Sequence, residues 1–260
     1  MSVASLGKNQ SELFVRDGFV VVSGLIPPST VAATRAALLE EHSAAAQAGA
    51  ANDAARVIRL TQLTAPCRTD AMEDAAAQLV GPRFLRGVTY SPYLESLGTE
   101  ATLYPGFIPV LRDPQPGPRA FAPPTSYHID GMHRVSVLPT SLYLIEFVYL
   151  TDVADYGGAT VVRPGSHRQV YDYWRAQATP NTGVTPDLEY AAPLPVTGKA
   201  GDTIFMHYLM VHSGSANRAD SVRVGLNTSV VPDPAHSYTP RTGAPTADWT
   251  PLDRTLAVAE

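Results

Sequence analysis

The pattern of apolar and turn residues predicts two strands and two helices in the first third of the chain. Residues 14–22 (FVRDGFVVV) are predicted to form a turn at Asp17-Gly18 that leads into a short buried strand. Pro27-Pro28-Ser29 ends this strand and predicts the start of a helix over about residues 30–46. The other elements predicted in this third are a strand at residues 57–63 and a helix at residues 71–80 that ends at Gly81.

From residue 84 onward, short β-like runs alternate with turn residues. The predicted strands are residues 84–90, 102–111, 126–130, 141–150, 160–163, 203–208 and 222–231. Helices followed by many short strands are typical of a barrel or double-sheet jelly roll flanked by helices. The proline-containing stretch at residues 113–124 is predicted to be a loop over the barrel mouth, and residues 178–193 a second long loop.

Length and composition indicate a globular protein. A chain of 260 residues forms one large domain or two small ones, and we expect a single domain over residues 1–260. Residues 1–10 are predicted to be a loose tail and residues 232–260 a C-terminal extension. The hydrophobic share of 45% and the charged share of 17% fit this class.

Charge, hydropathy and cysteine content exclude several classes of partner and of metal site. A net charge of −5 without a basic run argues against nucleic acid. The sequence has no apolar stretch approaching a membrane span and no signal peptide within residues 1–10, so we expect a cytoplasmic protein without a membrane partner. Cys67 is the one cysteine, which excludes a disulfide framework and a cysteine metal cluster. The sequence leaves the oligomeric state open.

Candidate chemistry begins with two potential metal ligands in the run Ser126-Tyr127-His128-Ile129-Asp130-Gly131. Alternate residues of a strand point to the same face, so His128 and Asp130 could enter one cavity. An imidazole and a carboxylate make up two thirds of the 2-His-1-carboxylate triad that holds non-heme Fe(II). The third ligand should lie on a later strand, where the chemistry alone permits His207 or His212.

An arginine downstream favours His212. Arg223 follows it by eleven residues and lies in a largely apolar β-like run. A buried guanidinium needs an anionic partner, and its planar fork suits a carboxylate held through two hydrogen bonds. A dicarboxylate cosubstrate such as 2-oxoglutarate would meet Arg223 with one carboxylate and chelate a metal with its 2-oxo acid end.

These motifs together resemble the phytanoyl-CoA dioxygenase-like family of Fe(II)/2-oxoglutarate oxygenases. The resemblance covers roughly residues 11–231. The matching segments are Asp17-Gly18-Phe19-Val20-Val21-Val22, His128-x-Asp130, the glycine-led segment from Gly157 to Ser166-His167, and the segment from Gly201-Asp202 through His212 and Asn217 to Arg223.

The resemblance implies a fold and a set of roles. It implies a double-stranded β-helix barrel (jelly-roll, cupin-like) with flanking N-terminal helices, and Fe(II), 2-oxoglutarate and O₂ as cofactor and cosubstrates. It makes His128, Asp130 and His212 the catalytic metal ligands, and Arg223 and Phe147 the cosubstrate-binding residues. The implied reaction is hydroxylation of a small-molecule C–H bond with release of succinate and CO₂.

Two positions depart from the family pattern. Phe147 stands where the family often has a tryptophan near the cosubstrate. Gly214 stands where the family often has a serine two residues after the metal histidine. Any hydrogen bond from that serine to 2-oxoglutarate must therefore be replaced or missing in this chain.

Alternative functions and residues remain open. The same iron site could perform desaturation, cyclisation or epimerisation. The chain could instead be a non-catalytic cupin-like metal- or ligand-binding protein, or the same ligands could serve a zinc hydrolase.

His133 and Arg134 are candidates for substrate contact or for a solvated loop, and Gln62 and Arg112 are candidates for polar groups of the cavity. The other histidines read as structural or surface residues: His42, His167, His207 and His236.

Overall fold

A helical layer covers the N-terminal part of the fold. A computed structural model of the chain describes residues 6–49, 54–90, 103–130, 142–177, 185–233, 240–241 and 243–257. The first helix, α1 (Lys8–Asp17), begins inside the segment predicted to be a loose tail, so that prediction is wrong for residues 8–10. Buried Phe14 and Val15 anchor α1, and Gly18 ends it with a left-handed φ of 81°.

Three further helices follow the short strand β1 (Phe19–Val22). They are α2 (Pro28–Ala48), α3 (Ala54–Thr64) and α4 (Asp70–Val80), with a 3₁₀ turn at Ala65–Cys67. The predicted strand at residues 57–63 is wrong, because the buried residues of helix α3, which are Val57, Leu60, Thr61 and Thr64, follow helical spacing. None of the described helices has both the length and the apolar character that crossing a membrane requires.

In the described part of the chain, seven strands form one antiparallel sheet. Besides β1, they are β2 (Thr89–Tyr90), β3 (Leu103–Tyr104), β4 (Ile108–Arg112), β5 (Leu144–Tyr149), β8 (Thr203–His207) and β10 (Arg223–Val230). Their order in the sheet is β1-β8-β5-β10-β2-β3, and β4 also pairs with β10. One face of this sheet packs on the helices in a large apolar core that includes Leu38, Met72, Leu144 and Leu226.

A smaller antiparallel sheet covers the other face. It consists of β7 (Leu194–Val196), β6 (Thr160–Val162) and β9 (His212–Gly214), in that order. Side chains of both sheets share a second core that contains Phe147, Ile204, Val162 and Val196. Tyr149 joins the sheets, because its hydroxyl donates to the Val196 carbonyl at 2.7 Å and accepts from the Thr160 amide at 2.9 Å. Two facing sheets with N-terminal helices correspond to the predicted jelly-roll class.

Several predicted strands are shorter in the structure because turns interrupt them. The predicted strand at residues 126–130 is reduced to one bridge between His128 and His212. Residues 84–90 contribute a bridge at Phe84 and β2, and residues 102–111 divide into β3 and β4. Residues 113–124 form a loop as predicted, and of the second predicted loop residues 185–193 are described and lack regular structure.

Two further helices lie where none was predicted. Helix α5 (Ser166–Arg175) begins at the Pro-Gly-Ser-His segment, after Gly165 with a φ of 78°. Helix α6 (Pro251–Thr255) lies in the C-terminal extension, where Arg254 Nη2 bonds Glu12 Oε1 of α1 at 2.9 Å. The extension is therefore attached to the N-terminal helix rather than separate from it.

Candidate metal centre

His128 and His212 are adjacent because their backbones pair. The His128 amide donates to the His212 carbonyl at 3.0 Å, and the His212 amide donates to the His128 carbonyl at 2.9 Å. Such a pair brings the two side chains to the same side, and the imidazole centroids are 4.4 Å apart. Asp130, two residues after His128, reaches the same space.

The three side chains form one cluster of potential metal ligands. Asp130 Oδ1 lies 3.3 Å from His128 Nε2 and 3.8 Å from His212 Nε2. One ligand atom from each residue lies within 4.8 Å of the others. Among the described residues, no other group of at least three His, Cys, Asp or Glu side chains has this geometry. Two imidazole nitrogens and one carboxylate oxygen match the donor set of the Fe(II) facial triad.

His212 is held in the tautomer that a metal needs. Its Nδ1 lies 2.9 Å from the Met210 carbonyl oxygen, which can only accept, so Nδ1 carries the proton and Nε2 presents a lone pair. Burial, together with the nearby His128, lowers the pKa of His212, although Asp130 opposes the shift. The imidazole is therefore neutral at neutral pH, as a metal ligand must be.

Ser166 supports the segment that carries His212. Its hydroxyl accepts from the Val211 amide at 3.0 Å and contacts Met210 Sδ at 3.3 Å. The Arg163 amide donates to the Val211 carbonyl at 2.9 Å. Arg163 and Ser166 therefore fix both backbone groups of Val211, the residue between His212 and Met210, whose carbonyl orients His212. Ser166 belongs to the Pro-Gly-Ser-His motif of the sequence, but the motif alone does not indicate that its hydroxyl supports the metal site.

Arg223 is buried beside the metal cluster, with 3% of the residue exposed. Its Nε donates to the Gly158 carbonyl at 3.0 Å and its Nη1 to the Val110 carbonyl at 3.1 Å. No described Asp or Glu forms an ion pair with it. Burial lowers its pKa to about 10, so the side chain keeps its charge. A buried cation without an acidic partner fits an anionic ligand.

A cavity of about 170 Å³ connects these groups. Its lining includes His128, His212, Arg223, Phe147, Arg112 and Asn227. The volume is below the roughly 300–1,000 Å³ of pockets for drug-sized ligands, so the cavity suits a small molecule. A wall that holds both metal ligands and a buried guanidinium is what a chelating dicarboxylate requires.

The remaining candidates from the sequence lie in different places. His207 is buried away from the cluster, and its Nδ1 accepts from the Leu209 amide at 3.0 Å. The His167 ring lies tilted against the His207 ring with centroids 5.0 Å apart, and burial lowers the pKa of His167 to about 3. His42 bonds Asp113 at 2.9 Å on the surface. Of the two candidate polar groups of the cavity, Arg112 lines it, whereas Gln62 is exposed on α3 and does not. His133, Arg134 and His236 lie outside the described residues.

Comparison with known proteins gives one family and one fold. A family model described as Phytanoyl-CoA dioxygenase (PhyH) matches residues 14–225. A search of curated proteins finds no significant match.

Solved structures with the same fold include three enzymes. A structure described as the non-heme monooxygenase ThoJ in a nickel complex is 20% identical, with a TM-score of 0.58 over 86% of this chain and 77% of the other. The α-ketoglutarate-dependent carbocyclase SnoK from nogalamycin biosynthesis is 21% identical, with a TM-score of 0.59 over 89% and 86%. The epimerase SnoN from the same biosynthesis is 18% identical, with a TM-score of 0.57 over 86% and 80%.

Proposed function

Because the chain belongs to the phytanoyl-CoA dioxygenase family, we propose that it oxidises a C–H bond of a small molecule, most simply by hydroxylation. The chain is a non-heme iron, 2-oxoglutarate-dependent oxygenase, with Fe(II) as its metal and 2-oxoglutarate and O₂ as its cosubstrates. The reaction outcome and the residues assigned below are our proposals.

His128, Asp130 and His212 hold the iron in this proposal. Three protein ligands leave coordination positions open for the cosubstrates. His212 is the buried ligand, with 8% of its side chain exposed, whereas 57% of the His128 side chain is exposed. The accessible side of the centre therefore lies towards His128, and a substrate approaches from that side.

Arg223 binds the distal carboxylate of 2-oxoglutarate, and Phe147 packs beside it. The observation that carries the proposal is the shared cavity, which has the His128–His212 pair and the Arg223 guanidinium in its wall. Two carbonyls fix the Arg223 fork before any ligand arrives, so little side-chain entropy is lost on binding. A plain metal-binding protein has no need of a buried arginine in the wall of its site.

Bound iron couples the decarboxylation of 2-oxoglutarate to succinate and CO₂ with oxidation of the substrate C–H bond. The protein contributes position and electrostatics. Met210 keeps the lone pair of His212 directed at the metal, Asp130 contributes a negative charge, and Arg223 fixes the orientation of the cosubstrate. The apolar residues between the two sheets exclude water from the buried side of the centre.

We also propose that residues 1–260 form a single oxygenase domain. The contact between Arg254 of α6 and Glu12 of α1 supports this assignment, because it ties the extension beyond residue 232 to the first helix.

The test is a reconstituted assay that measures succinate while candidate substrates are screened by mass spectrometry. Turnover should require Fe(II), O₂ and 2-oxoglutarate together. His128→Ala, Asp130→Ala and His212→Ala should each abolish turnover and Fe(II) binding in a folded protein, whereas the surface variant His42→Ala should keep both. Near wild-type turnover in any one triad variant would refute the ligand assignment.

The mass of the product separates the reaction outcomes. Hydroxylation adds one oxygen atom, desaturation or oxidative ring closure removes a pair of hydrogens, and epimerisation leaves the mass unchanged. A metal-dependent product formed without 2-oxoglutarate would instead indicate a hydrolase that uses the same ligands.

A further inference from the structure

Two arginines face each other inside the cavity. Arg112 on β4 and Arg223 on β10 are directly opposite in the antiparallel register, and both side chains line the same cavity. Like charges directly opposite in a sheet destabilise it. The charge of Arg112 indeed contributes to the lowered pKa of Arg223, after the larger effect of burial.

Arg112 has no acidic partner to offset this repulsion among the described residues. Its side chain donates no hydrogen bond within the described part of the chain, and its Nε is buried without a partner. Burial lowers the pKa of Arg112 as well. Its backbone pairs with Arg223 in the sheet, and its carbonyl accepts from Asn217 Nδ2 at 2.9 Å.

The Arg112 guanidinium lies against the strand that carries His212. A Cβ added to Gly214 would come within 2.1 Å of Arg112 Nη2 and 2.7 Å of its Cζ. The guanidinium therefore occupies the space that a side chain at position 214 would fill. Glycine is needed here for close approach rather than for its backbone conformation, because its φ lies outside the left-handed region.

We propose that Arg112 is a second binding residue for the distal carboxylate of 2-oxoglutarate, which it shares with Arg223. The inference rests on the function proposed above for this site. A carboxylate offers about four lone-pair sites and can accept from two guanidinium forks at once. Arg223 already donates Nε and Nη1 to backbone carbonyls, so it leaves part of the carboxylate for Arg112. One anion between the two cations would offset both the repulsion and the burial of charge.

The test is calorimetry of 2-oxoglutarate binding to the nickel-loaded protein without O₂, so that no turnover is needed. Arg112→Met should weaken 2-oxoglutarate roughly ten- to hundredfold, as expected for loss of hydrogen bonds to a charged group. The matched probe is 2-oxopentanoate, which has the same carbon chain but a methyl group in place of the distal carboxylate. Its affinity should be unaffected by Arg112→Met. Equal weakening of both probes, or of neither, would overturn the inference.

Gly214→Ala provides an independent variant that keeps the charge. The added methyl group should displace the Arg112 guanidinium and weaken 2-oxoglutarate in the same way. In the Arg112→Met background, Gly214→Ala should add little, because the two changes act through one contact. Fully additive losses would contradict this coupling.

Two further variants test whether the loss of 2-oxoglutarate affinity is specific to Arg112. Arg35→Met removes a half-buried arginine of α2 outside the cavity lining and should leave 2-oxoglutarate affinity unchanged. If Arg223→Leu weakens 2-oxoglutarate and Arg112→Met does not, the second anchor is refuted while the proposed function stands. If 2-oxoglutarate does not bind the nickel-loaded wild-type protein at all, both proposals fail.

Discussion

The Arg223 guanidinium carbon lies 5.0 Å from the centre of the Phe147 ring. A cation at this distance from an aromatic face is attracted by the ring quadrupole. The ring is in turn fixed, because it packs edge-on against Tyr149 at 5.5 Å between centroids and closely over Gly225. With two carbonyls holding its nitrogens and the Phe147 ring beside it, Arg223 is oriented before a ligand binds.

Arg223→Leu should therefore raise the 2-oxoglutarate requirement steeply. A hydrogen bond to a charged group contributes about 1.5–3 kcal/mol, so we expect at least about a tenfold loss of affinity in calorimetry. Arg223→Lys should recover only part of it, since lysine keeps the charge but lacks the planar fork. Unchanged affinity in Arg223→Leu would exclude this residue as the carboxylate anchor.

Ser166→Ala should weaken both the fold and the metal site. The change leaves the buried Val211 amide without its side-chain acceptor, which costs roughly 1–3 kcal/mol of unfolding free energy. Because Val211 lies between Met210 and His212, Fe(II) affinity should fall as well. Urea unfolding and an Fe(II) titration measure the two effects, with the exposed Ser23→Ala as control. A destabilised variant with unchanged Fe(II) affinity would limit Ser166 to a purely structural role.

Gly18→Ala should be severely destabilising for two separable reasons. A φ of 81° disfavours any side chain by about 1–2 kcal/mol, and the new Cβ would meet His167 Nδ1 at 2.4 Å and Met210 Cε at 2.6 Å. Gly24→Ala is the matched control, because Gly24 has a φ of 77° but no atom within 4 Å of its Cβ position. In denaturant unfolding, Gly18→Ala should lose roughly 1–3 kcal/mol more than Gly24→Ala. Equal losses would mean that the contact with α5 contributes nothing.

Local pattern predicted much of the site because its signals are close in sequence. The i, i+2 spacing of His128 and Asp130 put two candidate ligands on one face, and the buried arginine after His212 selected that histidine over His207. The strands with alternating or continuous apolar runs, such as β5 and β10, were likewise found within a few residues of their bounds. The roles of His128, Asp130, His212 and Arg223 in binding iron and cosubstrate remain predictions.

What local pattern missed depends on contacts between distant segments. The sequence named Arg112 as a candidate cavity group, and it does line the cavity. Its position opposite Arg223, however, depends on a strand register that its neighbours in sequence do not determine. Helix α3 was mistaken for a strand because Val57 and Ile58 favour strands, whereas its helical face is fixed by packing on Gly106 and Phe107. The Phe107 amide donates to Thr64 Oγ1 at 2.8 Å, and a Cβ on Gly106 would lie 1.8 Å from the Thr61 carbonyl oxygen.

A buried acidic residue on the helix side of the large sheet predicts a pH-dependent stability. Glu146 on β5 is 1% exposed, and burial raises its pKa to about 7, with Arg68 opposing the shift and Glu73 adding to it. Arg68 Nη1 lies 3.9 Å from Glu146 Oε2, too far for a hydrogen bond, whereas it lies 3.2 Å from Glu73 Oε1. Arg68 thus compensates Glu73 better than Glu146.

Glu146→Gln should therefore gain stability relative to the wild type as the pH rises. Between pH 4.5 and about 7 the folded wild type binds more protons at this site than the unfolded chain, so its stability falls across that window. Glutamine resembles the protonated acid and removes this dependence, which corresponds to at most on the order of 3 kcal/mol. The measurement is urea unfolding of both proteins at several pH values, taken as a difference so that the acid-side effect of buried His167 cancels. Glu41→Gln, at a more exposed position of α2, should show no such trend. A difference between variant and wild type that stays constant from pH 4.5 to 7.5 would mean that the pKa of Glu146 is the same in the folded and unfolded states, with Arg68 offsetting the effect of burial in full.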